Sequence, residues 1–159
     1  MKKEWIKAII ILPFNVLVTI PVLILYFSGY RYVYNNLYLI ILGCLLLIFG
    51  LRLGVLTMIL FNNTGKGTAA PWAPPEYLVI KGPYKYVRNP MITAVLSVLL
   101  AESLLLNSPE IFCWFVLFFV INSIYFPLFE EKQLKERFGE EYLEYMKKVP
   151  RWIPKFTRK

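Results

Sequence analysis

The sequence predicts an all-α, polytopic integral membrane protein with four transmembrane helices and a cytoplasmic, amphipathic helical tail at its C-terminus. Hydrophobic residues make up 58% of the chain and the mean hydropathy is +0.55, which are high values for a soluble globule. Half of the 18 Lys and Arg residues fall between Lys132 and Lys159, as expected for a tail that faces anionic lipid headgroups. The length of 159 residues fits one membrane domain, residues 1–159.

The first two apolar runs predict spans at about 8–28 and 37–61. The first run follows three Lys residues, as in a signal peptide, but it is too long and has no small-residue cleavage site. We therefore expect it to be retained as a span. In the second run, Gly43, Gly50 and Gly54 allow close packing against a neighbouring helix.

Two further apolar runs predict spans at about 91–106 and 111–129. Pro90 suits the first turn of the third span, where the N–H that proline lacks has no partner within the helix. The polar turn at 107–110 is short, so spans three and four should form a helical hairpin.

The basic residues also predict the orientation. The N-terminus, the second loop and the tail carry three, four and nine Lys or Arg residues, whereas the first and third loops carry one and none. By the positive-inside rule, both termini are cytoplasmic. The polar stretch at 82–92 and the pair Glu130 and Glu131 then fall on the same side of the membrane.

The tail after Glu130 has helical periodicity, with an apolar and aromatic stripe that favours docking on lipid or on other spans: Leu134, Phe138, Tyr142, Tyr145 and Val149. Gly139 is expected to divide this helix into two. The spacing of Glu131 with Lys135, and of Glu144 with Lys148, predicts two ion pairs along it.

The composition also excludes several functions. The chain has no His and no Asp, so His-based nucleophilic catalysis is excluded and no metal site is expected. Cys44 and Cys113 lie inside predicted spans and are interpreted as packing residues. The sequence has no pattern of interleaved basic and aromatic residues that would predict nucleic-acid binding. Acid–base chemistry must therefore come from Glu, Tyr or Lys.

The stretch Gly82-Pro83-Tyr84-Lys85-Tyr86-Val87-Arg88-Asn89-Pro90-Met91-Ile92 places polar groups where the chain re-enters lipid. It is compatible with a simple helix start bearing interfacial aromatics, and Glu130 and Glu131 with favourable charge at a helix N-terminus. Together, the two clusters could hold a ligand with a cationic centre, a ribose and an amino-acid end. S-adenosylmethionine has this profile.

The order of these motifs carries a resemblance to a known family. The run at 82–90, the later Glu130-Glu131 pair, Phe138-Gly139-Glu140-Glu141-Tyr142 and Val149-Pro150-Arg151 resemble the isoprenylcysteine carboxyl methyltransferase and phospholipid methyltransferase superfamily. Gly67-Thr68 with Pro71, Pro74 and Pro75 resembles its prokaryotic branch. The resemblance covers about 65–154. It implies an integral enzyme of a prokaryotic inner or plasma membrane that transfers a methyl group from S-adenosylmethionine to a lipophilic or membrane-embedded acceptor.

The resemblance also implies which residues form the site, in two elements at 76–92 and 130–154. The cofactor-binding residues would be Glu76, Tyr77, Leu78, Val79, Gly82, Tyr84, Arg88, Asn89, Pro90, Met91, Ile92 and Glu130. The catalytic residues would be Glu130, Glu131 and Arg88. The implied reaction is in-line attack of a nucleophile on the sulfonium methyl group, with Glu131 or Glu130 accepting a proton when the nucleophile is an amine.

Several positions depart from the family pattern. Asn89, Ile92 and Ala94 stand where the family has His, Tyr and Gly, and Phe126 replaces an Arg that binds prenylcysteine substrates. A prenylcysteine carboxylate is therefore not the expected acceptor. Two alternatives stay open: a membrane reductase that uses NADPH, and a non-catalytic lipid-binding or scaffold protein of the same fold.

Overall fold

The computed structural model describes residues 10–32, 36–67 and 75–154, and every regular element within these ranges is helical. The α-helices are α1 (Ile20–Phe27), α2 (Leu37–Leu60), α3 (Pro90–Leu105), α4 (Pro109–Tyr125) and α5 (Glu131–Lys148). π-helical segments adjoin them at Ile10–Thr19, Phe61–Gly65 and Phe126–Glu130, and a 3-10 turn covers Gly82–Lys85. The all-α prediction is confirmed. The N-terminal Lys residues, the first two residues of the predicted first span and the last five residues of the tail lie outside the described ranges.

Within the described ranges, two helical stretches are long and apolar enough to cross a membrane. They are 37–65 and 109–148, each of which contains an 18-residue apolar window. The apolar helices at Pro13–Phe27 and Pro90–Leu105 are shorter. The second and fourth predicted spans therefore correspond to the long stretches, and the first and third correspond to the short ones.

Helices α2 and α3 form the most extensive helix pair in the structure. A Cβ atom at Gly50 would lie 2.8 Å from Val98 Cγ2 and 2.9 Å from the Ala94 carbonyl oxygen, and one at Gly43 would lie 2.8 Å from a Leu side chain of α3. These glycines let the two backbones approach. The predicted close packing is confirmed at these two positions. A Cβ atom at Gly54 would lie 3.8 Å from its nearest neighbour, Ala94 Cβ, which is ordinary van der Waals contact.

Local capping chemistry sets the starts of α3 and α4. Asn89 Oδ1 accepts a hydrogen bond from the Ile92 N–H at 3.3 Å, and Pro90 occupies the first helical position. Ser108 Oγ accepts a hydrogen bond from the Ile111 N–H at 3.3 Å in the same way. Helices α3 and α4 pack against each other across the short connection 106–108, as the predicted hairpin of spans three and four requires.

The tail helix α5 is bent at Gly139, whose φ of 54° and ψ of −131° lie where only glycine is comfortable. Its predicted apolar stripe is largely buried, and Tyr142, Tyr145 and Val149 form its core. This core packs against the loop around Leu78. The stripe therefore docks on protein, on the loop that leads into α3.

Candidate functional site

A cavity of about 500 Å³ lies between the start of α3, the end of α4 and the first part of α5, within the range of about 300–1,000 Å³ typical of small-molecule sites. The segment leading into α3 lines it with Leu78, Val79, Tyr84, Arg88, Asn89, Met91 and Ile92. The α4–α5 junction and α5 line it with Phe126, Glu130, Gln133, Leu134, Arg137, Phe138, Tyr142 and Tyr145. The two polar segments singled out in the sequence thus meet at one cavity.

The cavity also extends between the apolar helices. On α3 its lining reaches from Asn89 to Val98, about 13 Å along the helix axis. The walls there are almost entirely apolar and come from α2, α3, α4 and the first π-helical segment, with Val16, Leu17, Leu51, Val55, Met58, Val95 and Phe118 among them. The site therefore joins polar side chains at one end to an apolar space among the helices.

Glu131 is the centre of a buried ion cluster beside the cavity. Arg151 donates from Nε and Nη2 to the two carboxylate oxygens at 2.9 and 3.0 Å, and Arg88 Nη1 lies 3.1 Å from Oε1. The Glu131 side chain is 3% exposed and that of Arg88 is 9% exposed. The backbone N–H of Arg88 also donates to the Pro150 carbonyl oxygen at 2.9 Å. The cluster therefore ties the start of α3 to the start of α5 and to the C-terminal segment.

Glu130 has a different environment from its neighbour. Its side chain lines the cavity, whereas Glu131 does not. Burial, together with the adjacent Glu131 carboxylate, raises the pKa of Glu130 to about 7. The group lies beyond the apolar helix α4, at the turn into α5. A carboxyl with a pKa close to neutral can take up or release a proton under ordinary conditions.

Two tyrosines, Tyr84 and Tyr145, line the polar end of the cavity. Tyr145 donates from its hydroxyl to the Tyr84 carbonyl at 2.7 Å, in a buried contact between α5 and the 3-10 turn. Burial raises the pKa of Tyr84, and also that of Tyr145. These phenols are therefore protonated at neutral pH and can act as hydrogen-bond donors.

The cavity brings together eight of the predicted site residues: Leu78, Val79, Tyr84, Arg88, Asn89, Met91, Ile92 and Glu130. Glu76 and Tyr77 are exposed outside it, and the Lys66 ammonium lies over the Tyr77 ring, 5.2 Å from its centroid. Gly82 and Pro90 are also absent from its walls. Among the described residues, no group of three His, Cys, Asp or Glu side chains could hold a metal ion.

Gln133, Arg137 and Tyr142 are among the cavity residues that the sequence does not predict as site residues. Gln133 and Arg137 follow Glu130 by three and seven positions, which places them on the same helix face, so helical spacing alone could have found them. Arg137 donates from Nη1 to the Pro75 carbonyl at 3.1 Å. Tyr142 was assigned to the apolar stripe, and only its hydroxyl distinguishes it from a packing residue.

Apolar helices of membrane length around a cavity with polar side chains at one end define the class: a helical membrane protein with a ligand-sized site. The model of the phospholipid methyltransferase family matches residues 38–141, more than half of the chain. The chain belongs to this family, and it is therefore a methyltransferase, as its motifs predicted. No curated protein matches it. The matched range includes Arg88, Asn89 and Glu130 and ends just before Tyr142.

Proposed function

We propose that the protein is an integral membrane methyltransferase that uses S-adenosylmethionine and acts on a lipophilic or membrane-embedded acceptor. The observation that carries the proposal is the single cavity that joins Glu130 and Asn89 to an apolar space between α2, α3 and α4. A polar donor and an apolar acceptor must share one site for transfer to occur, and this cavity has a surface suited to each.

The residues at the polar end fit the charged cofactor. The Glu130 carboxylate can accept hydrogen bonds from ribose hydroxyls or an ammonium group, and Leu78 and Val79 supply apolar contacts. Asn89 Nδ2 is buried without a hydrogen-bond partner among the described residues, a costly state that a bound polar ligand would relieve. When bound, S-adenosylmethionine supplies an activated methyl group on a sulfonium centre.

Glu130 is the proposed proton acceptor. An amine acceptor must lose a proton, and a cavity carboxyl with a pKa of about 7 can take it, whereas a carboxylate acceptor needs no base. Glu131 is unsuited to this role because Arg88 and Arg151 occupy both of its oxygens. We assign Glu131 and Arg151 a positioning role, since they hold Arg88 beside the cavity.

We further propose that all four apolar helices span a prokaryotic inner or plasma membrane, with both termini cytoplasmic. The distribution of Lys and Arg supports this orientation. Helix α3 has 16 residues and a length of about 24 Å, which is short for an apolar layer of about 30 Å. Its N-terminus at Asn89 is therefore expected near the cytoplasmic headgroups, where a soluble cofactor can enter.

Binding of S-adenosylhomocysteine tests the proposal. At 100 times its dissociation constant the ligand should stabilise the purified protein by roughly 2.7 kcal/mol, and Glu130→Ala should remove this effect. Glu140→Ala is the matched control, because Glu140 is an exposed residue of α5 outside the cavity. No response to S-adenosylhomocysteine, or an equal response in Glu130→Ala, would contradict the proposed cofactor site.

A further inference from the structure

Three side-chain donors at the polar end of the cavity have no acceptor in the part of the chain that the structure describes. They are Arg88 Nε, Asn89 Nδ2 and the proton of the Tyr142 hydroxyl, whose oxygen interacts with the Arg88 side chain. All three residues line the cavity. Asn89 is 5% exposed and Tyr142 is 1% exposed, so water on the outer surface does not solvate them. Buried polar atoms without a partner are rare, and each such atom calls for a ligand or an ordered water.

The three atoms have the same chemical character. Arg88 Nε can only donate, and so can Asn89 Nδ2, because the Asn89 side-chain oxygen already accepts from the Ile92 N–H. Burial and the Glu131 and Glu130 carboxylates raise the pKa of Tyr142, and the charge and side-chain hydrogen bond of Arg88 oppose them only in part, so this hydroxyl stays protonated at neutral pH. The three groups are thus buried donors on residues that line the cavity, and their natural partner is an acceptor.

The charges around the donors favour an anion. Arg88, Arg137 and Arg151 lie at this end of the cavity or in the adjoining ion cluster, against Glu130 and Glu131. Glu131 is neutralised by its two Arg partners, and Glu130 has a pKa of about 7, so it is only partly ionised at neutral pH. Positive charge is therefore in excess where the three donors lie.

We propose that Arg88, Asn89 and Tyr142 form a subsite for an oxyanion, a carboxylate or a phosphate, on a ligand of this cavity. The subsite makes Tyr142 a ligand-binding residue, although it lies beyond the range that the family model matches. The inference rests on the proposed function, because its two ligands offer two sources of the oxyanion. One source is the carboxylate of the methyl donor, and the other is the phosphate of a phospholipid acceptor.

Two conservative variants test the subsite. Tyr142→Phe removes one donor and keeps the ring that packs against Tyr145. Asn89→Asp keeps the oxygen that caps α3 and replaces the free donor with a negatively charged oxygen. Tyr86→Phe is the matched control, because Tyr86 is 54% exposed and lies outside the cavity.

Each protein is purified in detergent, and its affinity is measured for two pairs of probes. The first pair is S-adenosylhomocysteine and its decarboxylated analogue, and the second is dihexanoyl phosphatidylethanolamine and dihexanoylglycerol. In each pair, only the first probe carries an oxyanion. For the pair whose oxyanion the subsite binds, Tyr142→Phe should lower the affinity for that first probe about tenfold or more, as expected when a hydrogen bond to a charged group is lost. The probe without the oxyanion should bind as it does to the wild type.

The melting temperature without ligand separates binding from packing. Tyr142→Phe should change it little, because the variant keeps the buried ring and removes a hydroxyl proton that has no acceptor. Asn89→Asp should lower the affinity for the oxyanion-bearing probe further than Tyr142→Phe does, since the new carboxylate repels the oxyanion. If the affinity falls for S-adenosylhomocysteine, the subsite binds the carboxylate of the methyl donor. If the affinity falls for phosphatidylethanolamine, the subsite binds the phosphate of the acceptor.

The subsite is overturned if both variants bind all four probes like the wild type, or if each variant weakens both members of a pair equally. In that case, binding of S-adenosylhomocysteine to the wild type would leave the methyltransferase proposal intact. A wild type that binds phosphatidylethanolamine through Tyr142 but not S-adenosylhomocysteine would contradict the proposed cofactor alone. A wild type that binds neither anionic probe would contradict both proposals.

Discussion

Replacement of Glu131 with Gln removes the negative charge that holds two arginines together. Arg88 is 9% exposed and would keep an unpaired charge out of water, whereas Arg151 is 28% exposed and can turn towards solvent. Loss of one partner from a buried ion pair costs about 3–5 kcal/mol. Since one of the two arginines can be rehydrated, we expect a loss of about 3 kcal/mol in the free energy of unfolding, at the lower end of that range.

Urea unfolding in mild detergent measures this loss, with Glu144→Gln as the control. Glu144 lies 3.7 Å from Lys148 in an exposed pair on the same helix, with side chains 67% and 75% exposed, and its neutralisation should cost less than about 0.5 kcal/mol. Equal unfolding midpoints for the two variants would refute the assignment of Glu131 as the buried centre that ties α3 to the tail.

Three further perturbations have defined outcomes. Gly50→Ala should destabilise the protein by about 1–3 kcal/mol in the same assay because its Cβ meets the α3 backbone, whereas Gly54→Ala should unfold like the wild type; equal losses would contradict this packing. Tyr145→Phe leaves the buried Tyr84 carbonyl without its donor and should cost about 1–3 kcal/mol; an unchanged midpoint would contradict the importance of that bond. The folded protein holds a proton on Glu130 that the unfolded chain releases near pH 4.5, so this group's contribution to stability is full below that pH and is lost as the pH rises through about 7. Titration of the wild type should show this loss and Glu130→Gln should not; identical stability profiles would contradict the raised pKa.

The helices that have strong local signals could be predicted from the sequence. Asn89 and Pro90 predict the start of α3 to within one residue, because capping and the missing proline N–H act within one turn. The predicted end at 106 differs from the observed end at Leu105 by one residue. The close packing at Gly43 and Gly50 followed from their size, whereas the partner helix α3 did not. The four-span topology and its orientation depend on the bilayer and stay predictions.

The site was only partly predictable, because its contacts join distant parts of the chain. Helical spacing pairs Glu131 with Lys135, but the structure pairs it with Arg88 and Arg151, which no local rule connects. The spacing rule succeeds for Glu144, whose partner Lys148 lies one turn away on an exposed surface. Burial decides between these cases, and burial is a property of the assembled fold.

In the proposed function, one cavity brings a polar methyl donor to a lipophilic acceptor. The most direct measurement incubates the purified protein with methyl-labelled S-adenosylmethionine and a membrane lipid extract, followed by extraction into organic solvent. We expect label to enter the lipid phase with the wild type and with Glu140→Ala but not with Glu130→Ala. Absence of labelled lipid from a folded wild type that binds S-adenosylhomocysteine, or equal labelling by Glu130→Ala, would contradict it.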